Sequence, residues 1–282
     1  MVAHVMTRGS VLGWIPEETA DPRAVGLSSE ELRDAVDLVL WAGAILLASG
    51  ADTALIERTV TGLARGLGVD AVDVLVSPNG LVITTTEGDD FRTKLRRVPD
   101  IGVDLGKMAA VVELTPRVMR GEISREALRG ELSAIDGSAH YPRWVVVLAI
   151  GAACGGFSQL FQGGAREFGC TLAGGGVVMA LRQLLHKHHV NPYLTVLSAA
   201  LTTGVLLPLL AHLAGASATI CISATAVQLV PGVLFVHAGR DVIKGHLLTA
   251  SARAMKATAI VLAIAVGLAV ATAVVRAGSA LS

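Results

Sequence analysis

"YPRWVVVLAIGAACGGFSQLF", residues 141–161, divides this chain into two kinds of sequence. After Arg143 the stretch carries no charge, and it is close to the roughly 20 apolar residues that cross a bilayer as one helix. Working toward the C-terminus, the same reading repeats: residues 144–162, 168–186, 193–214, 218–238 and 254–275 each have a nearly charge-free interior. Working toward the N-terminus, the composition reverses. Residues 1–142 hold 21 of the 23 acids against 14 Lys and Arg, while residues 143–282 hold only Glu167 and Asp241 against nine. The zero net charge therefore hides a segregation, and the two halves belong to different solvents. With 52% hydrophobic residues, 16% charged and a mean hydropathy of +0.62, the whole is too apolar for an ordinary soluble domain.

Charge also orients the expected spans. With the first half on one side, the loops on that side carry Arg182, Lys187, Arg240, Lys244, Arg253 and Lys256, and the opposite side keeps only Arg166 and Arg276. The positive-inside rule makes the richer side cytoplasmic. The expectation is a multi-pass protein of the cell inner membrane with a cytoplasmic N-terminal domain and its C-terminus outside. Small residues at Gly151-xxx-Gly155, Gly174–Gly176 and Ala259, Ala263, Gly267, Ala271 suit close helix packing in lipid, within a bundle or an oligomer. Cys154, Cys170 and Cys221 lie in apolar segments and read as small core residues.

The first half reads as a loose tail (1–27) and an α+β domain (28–140). Ser28 or Ser29 can cap a helix whose apolar run, Leu38 to Ala48, is too short to span and so reads as core. Gly50 suits its stop, and Asp52 can cap a second helix. Val72, Val74 and Val76 then alternate with polar residues, and Asn79-Gly80 offers a tight reversal, so a small antiparallel meander is expected. Helices over about 103–120 and 124–136 complete the domain. The fold class is an α-helical integral membrane bundle of five transmembrane helices, 141–282, preceded by a cytosolic α+β domain with a small antiparallel sheet.

Chemistry concentrates in the fourth span, "QLVPGVLFVHAGRDVIKGH" (228–246). Pro231 removes an N–H and Gly232 adds freedom, so main-chain polar groups are released near mid-depth, where neighbouring helices, water or a solute must satisfy them. Broken helices bind solutes in transporters, but a plain structural kink has the same signature. Gln228 lies one turn before the break, and His237 and Asp241, four apart, share a face. Asp241 reads as a proton carrier, a latch to a neighbouring basic group, or a solvated loop residue. "HKHH" (186–189) has no acidic or thiol partner beside it, so a metal site is not expected. Asp52 and Glu57 are explained locally as a cap and a solvated face. No P-loop, G-x-S-x-G or H-E-x-x-H occurs, which excludes the familiar ATPase and hydrolase sites. No cofactor or nucleic acid is implied.

"SGADTALIE" (49–57) followed by "GLG", then "YPRW", and then "LVPG…D…KGH…AR" over 229–253 resemble, in that order, the threonine/serine exporter family, and its short five-span members above all. The family's recurring positions fall at Ser49, Gly50, Ala51, Glu57, Pro142, Arg143, Trp144, Pro231, Gly232, Asp241, Gly245 and Arg253. A second proline common three residues after the first is here Leu234. The resemblance implies export of a small carboxylate-bearing solute, succinate-like or threonine/serine, by an ion-driven carrier. It also implies a small membrane partner subunit that supplies a second hydrophobic half. On that reading Gln228, Pro231 and Gly232 help form the path, Arg182, Lys244 and Arg253 gather anionic substrate at its mouth, and Asp241 with His237 couples to protons or holds a gate. The rival expectations are a membrane-anchored enzyme with its site in the cytosolic domain, and a regulatory or assembly subunit.

Overall fold

The computed structural model describes residues 27–69, 71–87, 90–99, 102–138 and 141–281. The tail expected over 1–27 lies, apart from Leu27, outside them. Helix α1 (Ser29–Ala48) starts at a reciprocal cap: Glu31 N–H donates to Ser28 Oγ at 3.3 Å, and Ser28 N–H donates to the Glu31 carboxylate at 2.9 Å. Its C-terminal half is buried almost all round, with Leu38, Leu46 and Leu47 each 1% exposed or less. Three layers cover it. On one side lies an antiparallel meander of β1 (Ala71–Ser77), β2 (Gly80–Glu87) and β3 (Asp90–Arg97), in the order β1-β2-β3. On the others lie α2 (Thr53–Gly66) and the pair α3 (Leu105–Met119) and α4 (Arg125–Asp136). Leu81 and Ile83 of β2 join Val60, Leu63, Leu114 and Leu128 in one core around α1. Ion pairs at the rim, Lys94–Asp37 at 2.6 Å and Arg129–Asp34, tie sheet and α4 to α1.

The first reversal differs from the expectation at Asn79-Gly80. Ser77 pairs with Gly80, so the corner residues are Pro78 and Asn79, and Gly80 already belongs to β2. Neither corner residue has a positive φ. Pro78, with φ held near −65°, fits the first corner of a common turn, and the mirror-image turn that would need glycine is not used.

The C-terminal part is helical throughout. Helices α5 (Arg143–Leu160), α6 (Ala165–Lys187), α7 (Pro192–Ala214) and α10 (Leu247–Leu281) are long and apolar enough to cross a membrane. Helices α8 (Ala218–Ala226) and α9 (Gly232–Ile243) are joined through a single 3-10 turn at Val227–Leu229 and bend by 51°; counted as one, they are a fifth candidate span. Backbones meet closely where small residues permit it. A Cβ on Gly204 of α7 would stand 2.5 Å from the Ala271 Cβ of α10, and one on Gly267 would stand 2.7 Å from the Ala200 Cβ. The three cysteines are buried and unpaired.

One boundary differs from the sequence reading. Helix α10 begins at Leu247 rather than near 254, so Arg253 and Lys256 are residues of that helix and not of a preceding loop. Long basic side chains near a helix end can reach away from the apolar segment toward polar partners, and Arg253 does so.

Candidate functional site

Two clusters meet where the N-terminal helices rest on α9 and α10. The first is a clamp around the start of α2. Asp52 caps that helix, accepting from Leu55 N–H at 3.1 Å, and its other carboxylate oxygen lies 3.0 Å from Arg240 Nη1 of α9. The neighbouring Thr53 N–H donates to Asp241 Oδ1 at 3.3 Å. One helix N-terminus thus faces two carboxylates, as its dipole favours, one from its own cap and one from α9. Asp241 is fully buried and its Oδ2 lies 3.1 Å from Arg253 Nη1, while Arg253 Nη2 donates to the Ala51 carbonyl at 2.8 Å. The contact with Asp241 is ionic and poorly directed: Oδ2 and Nη1 each lack a hydrogen bond of good geometry.

One turn along α2, Glu57 lies 3.5 Å from His246 Nε2. Burial pushes the Glu57 carboxyl above the usual carboxylate range; the nearby Asp241 charge acts in the same direction, and His246 and Lys244 oppose it. Glu57 therefore belongs to the clamp, where the sequence suggested a solvated face. Thr249 Oγ1 adds a bond to the Val76 carbonyl at 3.4 Å.

The second cluster is a cavity of about 460 Å³ beside the clamp. Arg182 and His186 of α6, His237 of α9, and Arg253 and Lys256 of α10 line it, and among the described residues no carboxylate side chain does. Val233 and Leu234, in the first turn of α9, contribute another wall. The break places that turn there: Pro231 cannot continue the preceding ladder, and the chain restarts as α9 at Gly232. Arg182 Nη1 donates to the Gln228 carbonyl, released by the break, at 3.4 Å. Gly50 and Gly102 close the cavity from the N-terminal side. Gly50 has φ +82°, and a Cβ on it would stand 2.6 Å from the Gly102 carbonyl oxygen, so both conformation and space require glycine. A concave, mostly apolar chamber with convergent basic groups and an adjoining helix N-terminus suits a small anion carrying carboxylates.

Against this geometry stand the comparisons with known proteins. A family model described as "Putative threonine/serine exporter" (ThrE) matches residues 37–275, a stretch that contains the clamp and the whole cavity. The chain belongs to the threonine/serine exporter family. Among other ThrE-related proteins it is 31% identical over 245 residues to the "Probable succinate transporter subunit YjjP" of Escherichia coli K12, covering 86% of this chain and 94% of that one. The protein of the same description from Klebsiella aerogenes is 31% identical over 241 residues, 84% and 92% of the two chains. A "Probable threonine/serine exporter" of Mycobacterium tuberculosis is 24% identical over 250 residues, 86% of this chain but 46% of that one. No solved structure matches. A ThrE chain with several long apolar helices is a multi-pass membrane protein of a transporter family.

Within this ThrE chain the expected residues separate. Gly50, Arg182, His237 and Arg253 line the cavity; Asp52, Glu57, Asp241 and Arg253 form the clamp. Arg253 alone among the expected residues belongs to both. Ser49 is buried beside them and its carbonyl accepts from Asp104 N–H at 3.2 Å. Gln228 presents a side-chain amide with no hydrogen-bond partner among the described residues, Pro231 and Gly232 form the break, and Gly245, at φ +83°, makes the turn from α9 to α10. Lys244 is exposed and outside the cavity lining, and Arg143 and Trp144 are exposed at the start of α5. Sequence reasoning did not single out Lys256 or His186 as site residues, or the pairing of Arg240 with Asp52. The signal available for the first two was only a basic residue near the end of an apolar segment.

Proposed function

We propose that this chain is a subunit of a secondary exporter for small dicarboxylates, and that the cavity beside α9 receives the substrate from the cytoplasm. The observation that carries this reading is the convergence of Arg182, Arg253, Lys256, His186 and His237 on one chamber, with no lining acid among the described residues. A dianion finds a counter-charge for each end there. The ammonium of threonine or serine finds none among the described lining side chains, and a cation among cations is disfavoured. The description of the Escherichia coli relative as a probable succinate transporter subunit supports the same substrate class.

In this reading the residues from 28 to 140 form a cytoplasmic domain and those from 141 to 282 the membrane domain, with the C-terminus outside. The six-to-two distribution of basic residues supports that orientation. The word subunit in the relatives' descriptions supports a second membrane chain that completes the path. The test is efflux from proteoliposomes holding this chain and a co-purified membrane partner, loaded with succinate or threonine under an imposed pH gradient. Succinate efflux should exceed that of threonine, and Lys256→Gln should slow it. Threonine efflux with no succinate movement, or efflux indifferent to Lys256, would overturn the proposal.

A further inference from the structure

Among the described residues Arg253 alone both lines the cavity and ion-pairs in the clamp, and the two ends of its guanidinium are unequal. Nη2 is well bonded to the Ala51 carbonyl at 2.8 Å. Nη1 has Asp241 Oδ2 at 3.1 Å but no directed hydrogen bond, in a residue whose side chain is 13% exposed. Asp241 is likewise left with one oxygen undirected, while its other oxygen holds the Thr53 N–H at the start of α2. Nη1 is a buried donor without a good acceptor, on a side chain that lines the basic chamber, so a carboxylate entering the chamber can compete for it.

We propose that Arg253 exchanges partners: a substrate carboxylate in the cavity takes its Nη1 from Asp241, and the first turn of α2 is thereby released from α9. This rests on the dicarboxylate reading of the cavity. The coupling follows from burial. Asp241 is 0% exposed, and drawing the facing cation away leaves a buried carboxylate uncompensated, which is strongly unfavourable. Once Arg253 turns to the substrate, Asp241 must reach water, and its bond to Thr53 N–H opens with it. The surrounding charges limit the motion. Arg240–Asp52 and His246–Glu57 still hold α2 to α9 and to the turn before α10, so the release is a local opening of one turn. The N-terminal wall of the cavity, Gly50 and Gly102, lies directly beside that turn, so loosening it opens the chamber toward the N-terminal side.

The test is hydrogen exchange of the full chain in nanodiscs, read on peptides spanning residues 51–56, with and without saturating succinate. Neutral succinamide is the control, and binding is measured separately by calorimetry. Succinate should speed exchange at the Thr53 amide at least threefold, and succinamide should not. Asp241→Asn keeps an oxygen for Thr53 N–H but removes the competing charge. It should bind succinate at least threefold more tightly and should lose the succinate-induced change in exchange. Succinate binding with unchanged or greater protection at Thr53, or weaker binding by Asp241→Asn, overturns the exchange of partners while leaving the cavity as the site. No succinate binding by the wild-type protein overturns the cavity reading and this one with it. The wild-type comparison needs no variant to fold.

Discussion

Removing Arg253 from the clamp gives the sharpest energetic test, because its two contacts are of different kinds. At 3.1 Å and an effective dielectric constant near 20, the attraction to Asp241 is about 5 kcal/mol before desolvation is subtracted. Measured losses from stripping one partner of a buried ion pair are about 3–5 kcal/mol, mostly the cost of leaving the other charge buried and alone. Arg253→Met also strips the Ala51 carbonyl of a charged donor at 2.8 Å, worth about 1.5–3 kcal/mol. Methionine keeps the apolar length of the stem, so packing changes little. Asp241→Asn should cost less, since it retains the Thr53 bond and leaves a guanidinium that borders a cavity water can enter. If the pair is what holds α2, the double variant Arg253→Met/Asp241→Asn should be more stable than the sum of the single losses predicts by about 2–3 kcal/mol. The assay is the local opening free energy of the Thr53 and Leu55 amides by native-state hydrogen exchange. There about 3 kcal/mol appears as a rate increase of about 150-fold for Arg253→Met. Single losses that add to within about 0.5 kcal/mol would show that the two side chains do not act together, and the clamp would be refuted as a coupled unit.

Glu57→Gln should remove a pH dependence. Burial raises the folded-state pKa of Glu57 above the unfolded value of 4.5, so its ionisation opposes folding and stability falls as pH rises from about 4.5 through the folded pKa. The glutamine variant should match wild type in melting temperature near pH 4 and equal or exceed it at pH 7.5; a variant weaker at pH 7.5 but not at pH 4 would mean that the His246 ion pair outweighs burial. Gly204→Val should weaken the α7–α10 contact, because the added Cβ would stand 2.5 Å from that of Ala271, with a cost of about 1–3 kcal/mol. Its lower yield of monodisperse protein on gel filtration should recover in part with Ala271→Gly, and no recovery would place the clash elsewhere. Arg182→Met removes the donor to the Gln228 carbonyl and one cavity charge together; succinate efflux should fall at least tenfold, with Arg182→Lys restoring charge but not full rate. Equal rates for the lysine and methionine variants would exclude a role for the charge.

Much was legible in the order of residues, for reasons that are local. The apolar segments from Trp144 onward had to be helices of about bilayer length, since main-chain groups in such surroundings can only bond along the chain. Pro231 had to interrupt the fourth of them, because it lacks an N–H wherever it is put. Ser28 and Asp52 announced helix starts through their side-chain oxygens, and both cap as expected. The turn at Pro78-Asn79 shows the limit even locally, since Asn-Gly and Pro-Asn lie side by side and strand register chose between them.

Tertiary structure decided the rest. Which groups Asp241 meets depended on what lies against its side of α9. Its partners, Thr53 and Arg253, stand on opposite sides of it in the sequence, the first of them 188 residues away. Periodicity could not choose, because it puts His237 and Asp241 on one face of α9 without saying which neighbour that face meets. Lys256 and His186 were concealed for the same reason, since they share a cavity only because α6, α9 and α10 all border it. Composition thus determined that this chain has spans, where one breaks and which end is basic, whereas three-dimensional packing alone determined which charges neutralise one another and which remain facing the chamber.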